Sequence, residues 1–421
     1  MTGGGGRLGF EGLDACVHCG FCLQACPTFL ATGDEADSPR GRIELMRGLE
    51  RGDIAATDTA LVYHLDRCLG CRGCEPVCPS GVQYGHGLEA ARARITAARG
   101  VSRLTRLALW TLTTPGVSGF VYRLARLLRA TGLPRLFAGW GRFRFAMGML
   151  AATKGAERRE TARRGANTLR AVTRSPAPLR AVLFRGCVME GLFQHVHDAT
   201  VRTLGVNGFR VREAPGQVCC GALHAHAGLL EEARALARTN VNAFSDDDEP
   251  IVVNSAGCGA LMKEYGHLLG DARSERFGRR VRDVTELLVG DAMKGPVAGA
   301  PLDLHVAYDP PCHLLHAQGV AVPPLRLFAA IPLLELVPVP GAAECCGSAG
   351  LFTLLEPEMS RAVLNAKLER IREAAPQVVA TGNPGCIMQL GAGLAAARIP
   401  ARVRHPVELL DDSYRVAGRY E

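Results

Sequence analysis

Apolar and polar positions alternate with different periods along the chain. From about residue 179 onward, short unbroken apolar runs alternate with longer amphipathic ones. Ala181-Val-Leu-Phe184, Ile251-Val-Val253, His305-Val-Ala-Tyr308 and Val378-Val-Ala380 predict buried strands. Leu229 to Phe244 and Met359 to Ala374 carry apolar residues at helical spacing. Strand–helix alternation of this kind predicts parallel α/β sheets. Further upstream, Leu104, Leu107, Leu109, Trp110, Phe120, Leu124, Leu127 and Leu128 interleave with arginines, which predicts amphipathic helices with one basic face. Nearer the N-terminus, Pro39 to Arg47 and Ala56 to Asp66 predict short helices.

The 421 residues allow several domains, and nearly half of them are apolar, so a sizeable core can be buried. The net charge of +8 is modest, but its placement is not even. From Ala91 to Gly155 there is no Asp or Glu, while Arg103, Arg106, Arg123, Arg126, Arg129, Arg135, Arg142 and Arg144 recur. Three readings of this basic region stand: an amphipathic surface on an anionic membrane, a dock for an acidic subunit, or a solvated connector. No nucleic-acid-binding module accompanies the charge, so nucleic acid is not an expected partner. No stretch reaches the roughly 18 apolar residues of a spanning helix.

Sixteen cysteines change the picture most. The N-terminus shows no apolar signal segment, so a reducing compartment and metal-binding thiols are expected rather than a disulfide scaffold. The first run is Cys16-x2-Cys19-x2-Cys22-x3-Cys26-Pro27, and the second is Cys68-x2-Cys71-x2-Cys74-x3-Cys78-Pro79. This is the spacing of bacterial two-cluster ferredoxins, in which the fourth cysteine of each run crosses to the other cluster. It assigns Cys16, Cys19, Cys22 and Cys78 to one [4Fe–4S] cluster and Cys26, Cys68, Cys71 and Cys74 to the second. Zinc prefers paired hooks of four ligands and fits two such runs poorly.

The remaining eight cysteines form an internal repeat. Cys187, Cys219-Cys220-Gly221 and Cys258 are matched by Cys312, Cys345-Cys346-Gly347 and Cys386. Cys187 precedes Cys219 by 32 residues, and Cys312 precedes Cys345 by 33. The lone cysteines fall just past predicted strands, at the carboxyl edge where open α/β sheets bind ligands. They are either a redox cofactor site or reactive thiols between the halves, or buried structural cysteines of a duplicated fold. His224 and His226, and His313 and His316, are candidates for ligands or proton carriers beside them. No dinucleotide fingerprint or phosphate loop is present, and clusters carry single electrons. A two-electron cofactor, a flavin on another chain, is therefore expected.

The pattern yields a helical two-cluster ferredoxin-type domain over 1–95 and a basic helical connector over 96–175, with a polar linker from Gly155 to Pro178. Two Cys-Cys-Gly α/β repeats follow, over 176–298 and 299–421. Cys16-Val-His-Cys19-Gly-Phe-Cys22, Ser38-Pro-Arg-Gly-Arg-Ile43, Asp66-Arg-Cys-Leu-Gly-Cys71, Cys219-Cys-Gly-Ala-Leu-His224, Glu344-Cys-Cys-Gly-Ser-Ala-Gly350 and Thr381-Gly-Asn-Pro-Gly-Cys386 resemble the iron–sulfur subunit of glycolate oxidase over nearly the whole chain. The resemblance implies FAD-binding partner subunits that oxidise glycolate to glyoxylate. It also implies electron delivery through this chain to a membrane acceptor such as quinone, at the inner face of the cytoplasmic membrane. Subunits for L-lactate utilisation, glycerol-3-phosphate dehydrogenation and heterodisulfide reduction are similar, and the last bind noncubane clusters in Cys-Cys-Gly domains ending in Cys-x-x-Cys. Here Cys258 and Cys386 stand alone, so the resemblance leaves a further cluster in this half open.

Overall fold

The protein was analysed as a computed structural model that describes residues 9–155, 179–244, 247–290 and 294–420. Apart from Gly155, the linker expected up to Pro178 lies outside the described residues. The N-terminal part is helical. Helices Pro39–Arg51, Thr59–Asp66 and Tyr84–Arg99 enclose a core that includes Phe10, Leu13, Met46, Leu61, Leu65 and Leu88. Ser38 starts the first of these by accepting the Gly41 N–H on its hydroxyl, with Pro39 at the first helical position, and Gly52 ends it with φ +82°. Helix Tyr84–Arg99 runs through residue 95, where the sequence pattern suggests a division, and stops at Gly100.

The basic region folds into helices Arg103–Thr113, Pro115–Ala130 and Arg142–Ala152. The last does not stand free. It crosses helix Pro384–Ala396 where small residues let the backbones approach: a Cβ on Gly148 would meet Ala392 at 3.1 Å, and one on Gly391 would meet Ala152 at 2.4 Å. Among the described residues no helix is long and apolar enough to cross a membrane.

The C-terminal region holds two four-stranded parallel sheets. Strands β1 (Leu179–Phe184), β2 (Phe209–Glu213), β3 (Ile251–Val253) and β4 (Val281–Asp283) run in the order β2-β1-β3-β4. Strands β5 (Leu304–Tyr308), β6 (Leu334–Leu336), β7 (Val378–Ala380) and β8 (Arg402–Arg404) repeat it as β6-β5-β7-β8. The register repeats too, with Val182 opposite Ile251 and Val306 opposite Val378. The central strands β1, β3, β5 and β7 are the four apolar runs, flanked by helices as parallel sheets require. Leu183, Val252, Val306 and Ala380 share one buried cluster, so the two sheets have a common core. Arg202 clamps Asp411 across the repeats with two bonds of 2.8 and 2.7 Å.

Candidate functional site

The two N-terminal cysteine runs coil alike. His18 and Gly20 lie at φ 56° and 86° on either side of Cys19, and Gly70 and Arg72 at φ 59° and 58° on either side of Cys71. Left-handed residues placed this way turn consecutive N–H groups to one side, forming a concavity for an anionic group. The Gly70 N–H accordingly reaches the Cys68 Sγ at 3.4 Å. One small cavity is lined by Cys16, Cys19, Cys22 and Cys78 together with Cys74. A neighbouring one is lined by Cys26, Cys68, Cys71 and Cys74.

Spacing between the sulfurs separates two kinds of metal site. A tetrahedral zinc with Zn–S bonds near 2.3 Å needs its sulfurs about 3.8 Å apart. Among the described residues, the only group of three or more potential ligand atoms lying within 4.8 Å of one another is Asp34, Asp37 and His64, with no cysteine in it. The cysteines are grouped, yet too widely spread for one small ion. A cube of irons spaces its thiolates further apart than a single ion does.

The second quartet sits in a field of positive charge. Arg42 is fully buried, paired with the equally buried Asp37 at 3.0 Å, and donates to Thr28 Oγ1 at 2.9 Å. Thr28 Oγ1 in turn lies 3.2 Å from Cys26 Sγ. Arg92 donates to the carbonyls of Leu65 and Cys68 at 3.0 and 2.7 Å. The Tyr84 hydroxyl lies 3.4 Å from Cys68 Sγ. Burial alone raises the Cys68 thiol, but Arg42, Arg92 and the Tyr84 hydroxyl outweigh it and the net shift is downward. Cys74, without such neighbours, is pushed well up by burial and then by Cys71 and Cys68.

In the repeats, β1 leads through Gly186 to Cys187, and β5 leads to Cys312 just before a π-helical turn, His313–Ala317. Cys258 and Cys386 ride on the first turns of helices Ala256–Lys263 and Pro384–Ala396, past β3 and β7. The Cys-Cys-Gly loops follow the outer strands β2 and β6. Gly221 and Gly347 lie at φ +87° and +83°, and a Cβ on Gly347 would sit 2.7 Å from the Ser360 carbonyl. Both the backbone angle and the space therefore require glycine there. Sulfur distances are 3.5 Å for Cys187–Cys219, 3.2 Å for Cys220–Cys258 and 3.0 Å for Cys346–Cys386. The sulfurs share hydrogen bonds. Cys187 and Cys220 pull Cys219 down, as Cys345 and Cys386 pull Cys346 down.

All eight face one cavity of about 630 Å³, between the repeats and beneath the basic helices. Its wall takes Thr105, Leu112 and Tyr122 from those helices and Cys68 from the N-terminal half. Leu69 and Cys71 pack in the same cluster as Cys312 and Cys345. The second N-terminal quartet thus abuts the second repeat's quartet.

Of the four histidines singled out in sequence, His226 and His313 line this cavity, with ring centres 5.4 Å apart. His313 Nδ1 lies 3.5 Å from Cys312 Sγ. His224 is buried outside the wall, and His316 lies beside the Ala343 carbonyl at 3.1 Å. Sequence reasoning passed over Tyr84, Glu89, Arg92 and Glu264. The first three lie on helix Tyr84–Arg99 and Glu264 in the turn after Ala256–Lys263, none in a local motif, and folding alone brings them to the site.

Residues 12–82 match the family model described as a 4Fe-4S dicluster domain, and residues 181–263 and 306–391 match that of a cysteine-rich domain. The chain is 31% identical to the probable glycolate oxidase iron–sulfur subunit of Bacillus subtilis (strain 168), over 96% of this chain and 94% of that protein. It is 32% identical to the glycolate oxidase iron–sulfur subunit of Escherichia coli (strain K12), over 95% and 94%. Lactate utilization protein A of Geobacillus kaustophilus (strain HTA426) is 32% identical and matches 55% of this chain with 99% of its own length. With its dicluster domain, its paired cysteine-rich domains and end-to-end likeness to these relatives, the chain belongs to the family of glycolate oxidase iron–sulfur subunits.

Proposed function

We propose that this chain is the electron relay of a complex that oxidises glycolate, or a close 2-hydroxy acid, on an FAD-bearing partner subunit. The product of glycolate oxidation is then glyoxylate, and the electrons pass through this chain to a quinone in the membrane. The observation that carries the reading is the unbroken succession of thiol quartets, with Cys74 in the walls of both N-terminal cavities and Cys68 and Cys71 against the repeats. Cys16, Cys19, Cys22 and Cys78 would hold one [4Fe–4S] cluster, and Cys26, Cys68, Cys71 and Cys74 the other. The quartets Cys187, Cys219, Cys220, Cys258 and Cys312, Cys345, Cys346, Cys386 line the cavity that Cys68 of the second cluster site also reaches. When bound, such clusters supply one-electron steps, which convert a two-electron oxidation into single transfers.

The protein's own residues set the conditions. Arg42 and Arg92 neutralise charge at the second quartet, and the backbone concavities around Cys19 and Cys71 orient N–H groups towards the first and the second quartet in turn. The arginine-rich helices offer a surface for an anionic bilayer at the inner face of the cytoplasmic membrane. Lactate as substrate is the second reading, favoured by the likeness of about half of the chain, 55%, to lactate utilization protein A.

The test is anaerobic purification of the chain with whatever it binds, followed by iron, sulfide and flavin assays. EPR spectra during addition of glycolate or lactate then report on the relay. Iron, a flavoprotein partner and substrate-driven cluster reduction are expected. Zinc in place of iron, or clusters that no 2-hydroxy acid reduces, would reject the reading.

A further inference from the structure

Behind His226 and His313 lies a second, much smaller cavity of about 20 Å³, lined also by Glu89, Glu264, Arg72 and Arg92. The same two imidazoles line the cysteine cavity. They form the partition between the two spaces. The smaller one has room for a single water. On it, His226 Nδ1 stands 4.0 Å from Glu89 Oε1, a gap that one water bridges more readily than a direct bond.

From there the groups continue outward. Glu264 Oε1 is 3.8 Å from His86 Nε2, and the His86 ring stacks on that of His267 at 4.0 Å. His267 is exposed at the surface. Arg72 fixes Glu264 at 2.5 Å. On the partition itself, His313 Nε2 is buried and has no hydrogen-bond partner. A buried polar atom left unpaired is costly, and one set between two cavities points to use rather than stability.

We propose that Glu89 and His226 deliver protons from the His267–His86 surface into the cysteine-lined cavity, where a quinone takes them up together with its electrons. This rests on the electron relay proposed above and adds where the acceptor is reduced. A quinone gains two electrons and two protons, and its two carbonyl oxygens become hydroxyls. The electrons come singly by way of the two N-terminal quartets from the hydroxy acid oxidised on the partner, and the protons from solvent through Glu89 and His226. The volume of about 630 Å³ lies within the range of small-molecule sites. Val101, Leu112, Met149, Phe352 and Leu355 give it apolar walls.

The acid–base character of the two carriers suits the task. Burial pushes Glu89 up to about 7, with Glu264 adding to the rise and His86, Arg72 and Arg92 opposing it. A carboxyl group that titrates near neutrality both gives and takes protons there. Burial drives His226 down to about 3, with His313 and Arg92 adding to the fall, so its ring stays neutral. A neutral imidazole offers one donor and one acceptor nitrogen and can relay a proton without keeping it.

The test uses the whole complex carrying Glu89→Gln, with two acceptors. Ferricyanide accepts an electron without a proton, whereas a short-chain benzoquinone needs both. Turnover with the quinone should fall about tenfold or more, the lower end of what an acid–base group contributes. Ferricyanide turnover should stay as in wild type, and Glu89→Asp should recover part of the quinone rate. In infrared spectra a carboxylic-acid band should titrate near neutral pH and be missing from Glu89→Gln. Wild-type quinone turnover in Glu89→Gln would overturn the proposal, and so would an equal fall with both acceptors, which marks a structural role. If no hydroxy acid reduces the clusters, the relay reading fails by itself. Quinone reoxidation of dithionite-reduced protein still decides whether Glu89 matters.

Discussion

Asn383 accepts the backbone N–H of Gly257 on its side-chain oxygen at 3.2 Å, so that the start of a helix in the second repeat holds the first turn of the helix carrying Cys258 in the first. The same oxygen accepts from Ser255 Oγ at 3.3 Å, and the amide nitrogen faces Cys386 Sγ at 3.5 Å. One side chain thus fixes both faces of the cysteine cavity. Asn383→Ala leaves the Gly257 N–H without its partner and should cost about 1 kcal/mol, since a half-buried donor loses its bond. Thermal melting of cluster-loaded protein under anaerobic conditions checks this. A melting temperature equal to wild type would show that the tie is idle.

The two Cys-Cys-Gly loops should not tolerate alanine equally. In both, φ is left-handed, which costs a residue with a Cβ about 1–2 kcal/mol. At Gly221 the added Cβ meets the Ala233 carbonyl at 3.2 Å, a contact that a slight shift relieves. At Gly347 it meets the Ser360 carbonyl at 2.7 Å, in a helix whose Ser360 hydroxyl already donates to the Gly347 carbonyl at 2.8 Å. Gly347→Ala should therefore lower the melting temperature clearly more than Gly221→Ala. Equal losses would contradict the difference in packing.

Tyr84→Phe isolates one hydrogen bond at the second N-terminal quartet. The phenol is buried, and burial with the nearby Cys68 keeps it protonated far above neutral pH, so it remains a donor. Donors to cluster sulfurs raise reduction potential. Losing this one should lower the potential of the cluster assigned to Cys26, Cys68, Cys71 and Cys74 by about 20–60 mV, the one-electron equivalent of about 0.5–1.5 kcal/mol. A redox titration followed by EPR measures it. An unchanged or higher midpoint would mean that the Tyr84 hydroxyl does not donate to Cys68 in the loaded protein.

How much of this the sequence discloses depends on how local the physics is. The central strands could be read because Ile251–Val253 and Val378–Ala380 are buried on both faces and so are wholly apolar. Their outer neighbours escaped notice because Phe209–Glu213 and Arg402–Arg404 meet solvent on one side and carry Arg and Glu, which read as loop. The cysteine quartets are legible because ligand spacing is a property of the chain itself. The His226–His313 partition and Glu89 behind it are not, since the segments after Cys220 and Cys312 and helix Tyr84–Arg99 meet only in the folded protein. The basic region showed its amphipathic helices, but not that Gly148 and Gly391 bring one of them onto the second repeat.

Glu89 also gives the stability a pH dependence of known sign. Its carboxyl is raised from the ordinary 4.5 to about 7 by burial first, with Glu264 adding and His86, Arg72 and Arg92 subtracting. The folded chain thus binds this proton more tightly than the unfolded chain does. The stability contribution is complete below pH 4.5 and is lost as pH rises towards 7, by at most about 3 kcal/mol. Glu89→Gln stays neutral throughout. Relative to wild type, it should gain stability between pH 5 and pH 8, as read from melting temperatures of the two proteins side by side. A constant offset over that range would remove the case for a Glu89 carboxyl raised towards neutrality.

The basic helices supply the last test. Leu104, Leu107 and Trp110 on Arg103–Thr113, and Phe120, Leu124 and Leu127 on Pro115–Ala130, are exposed, whereas Leu109 and Tyr122 point inward and are buried. On the second helix the exposed residues follow at intervals of four and three, which is one face. With arginines beside them and no carboxylate from Ala91 to Gly155, the face combines apolar residues with positive charge, as surfaces that settle into anionic lipid headgroups do. The chain should float with vesicles rich in phosphatidylglycerol and much less with phosphatidylcholine, and added salt should weaken the association. Each large apolar side chain that inserts contributes about 1.5–3 kcal/mol. Replacing Leu107, Trp110, Leu124 and Leu127 with serine should therefore abolish flotation while leaving the melting temperature nearly unchanged, because all four are already in solvent. Flotation that survives the fourfold change would assign this face to a protein partner instead.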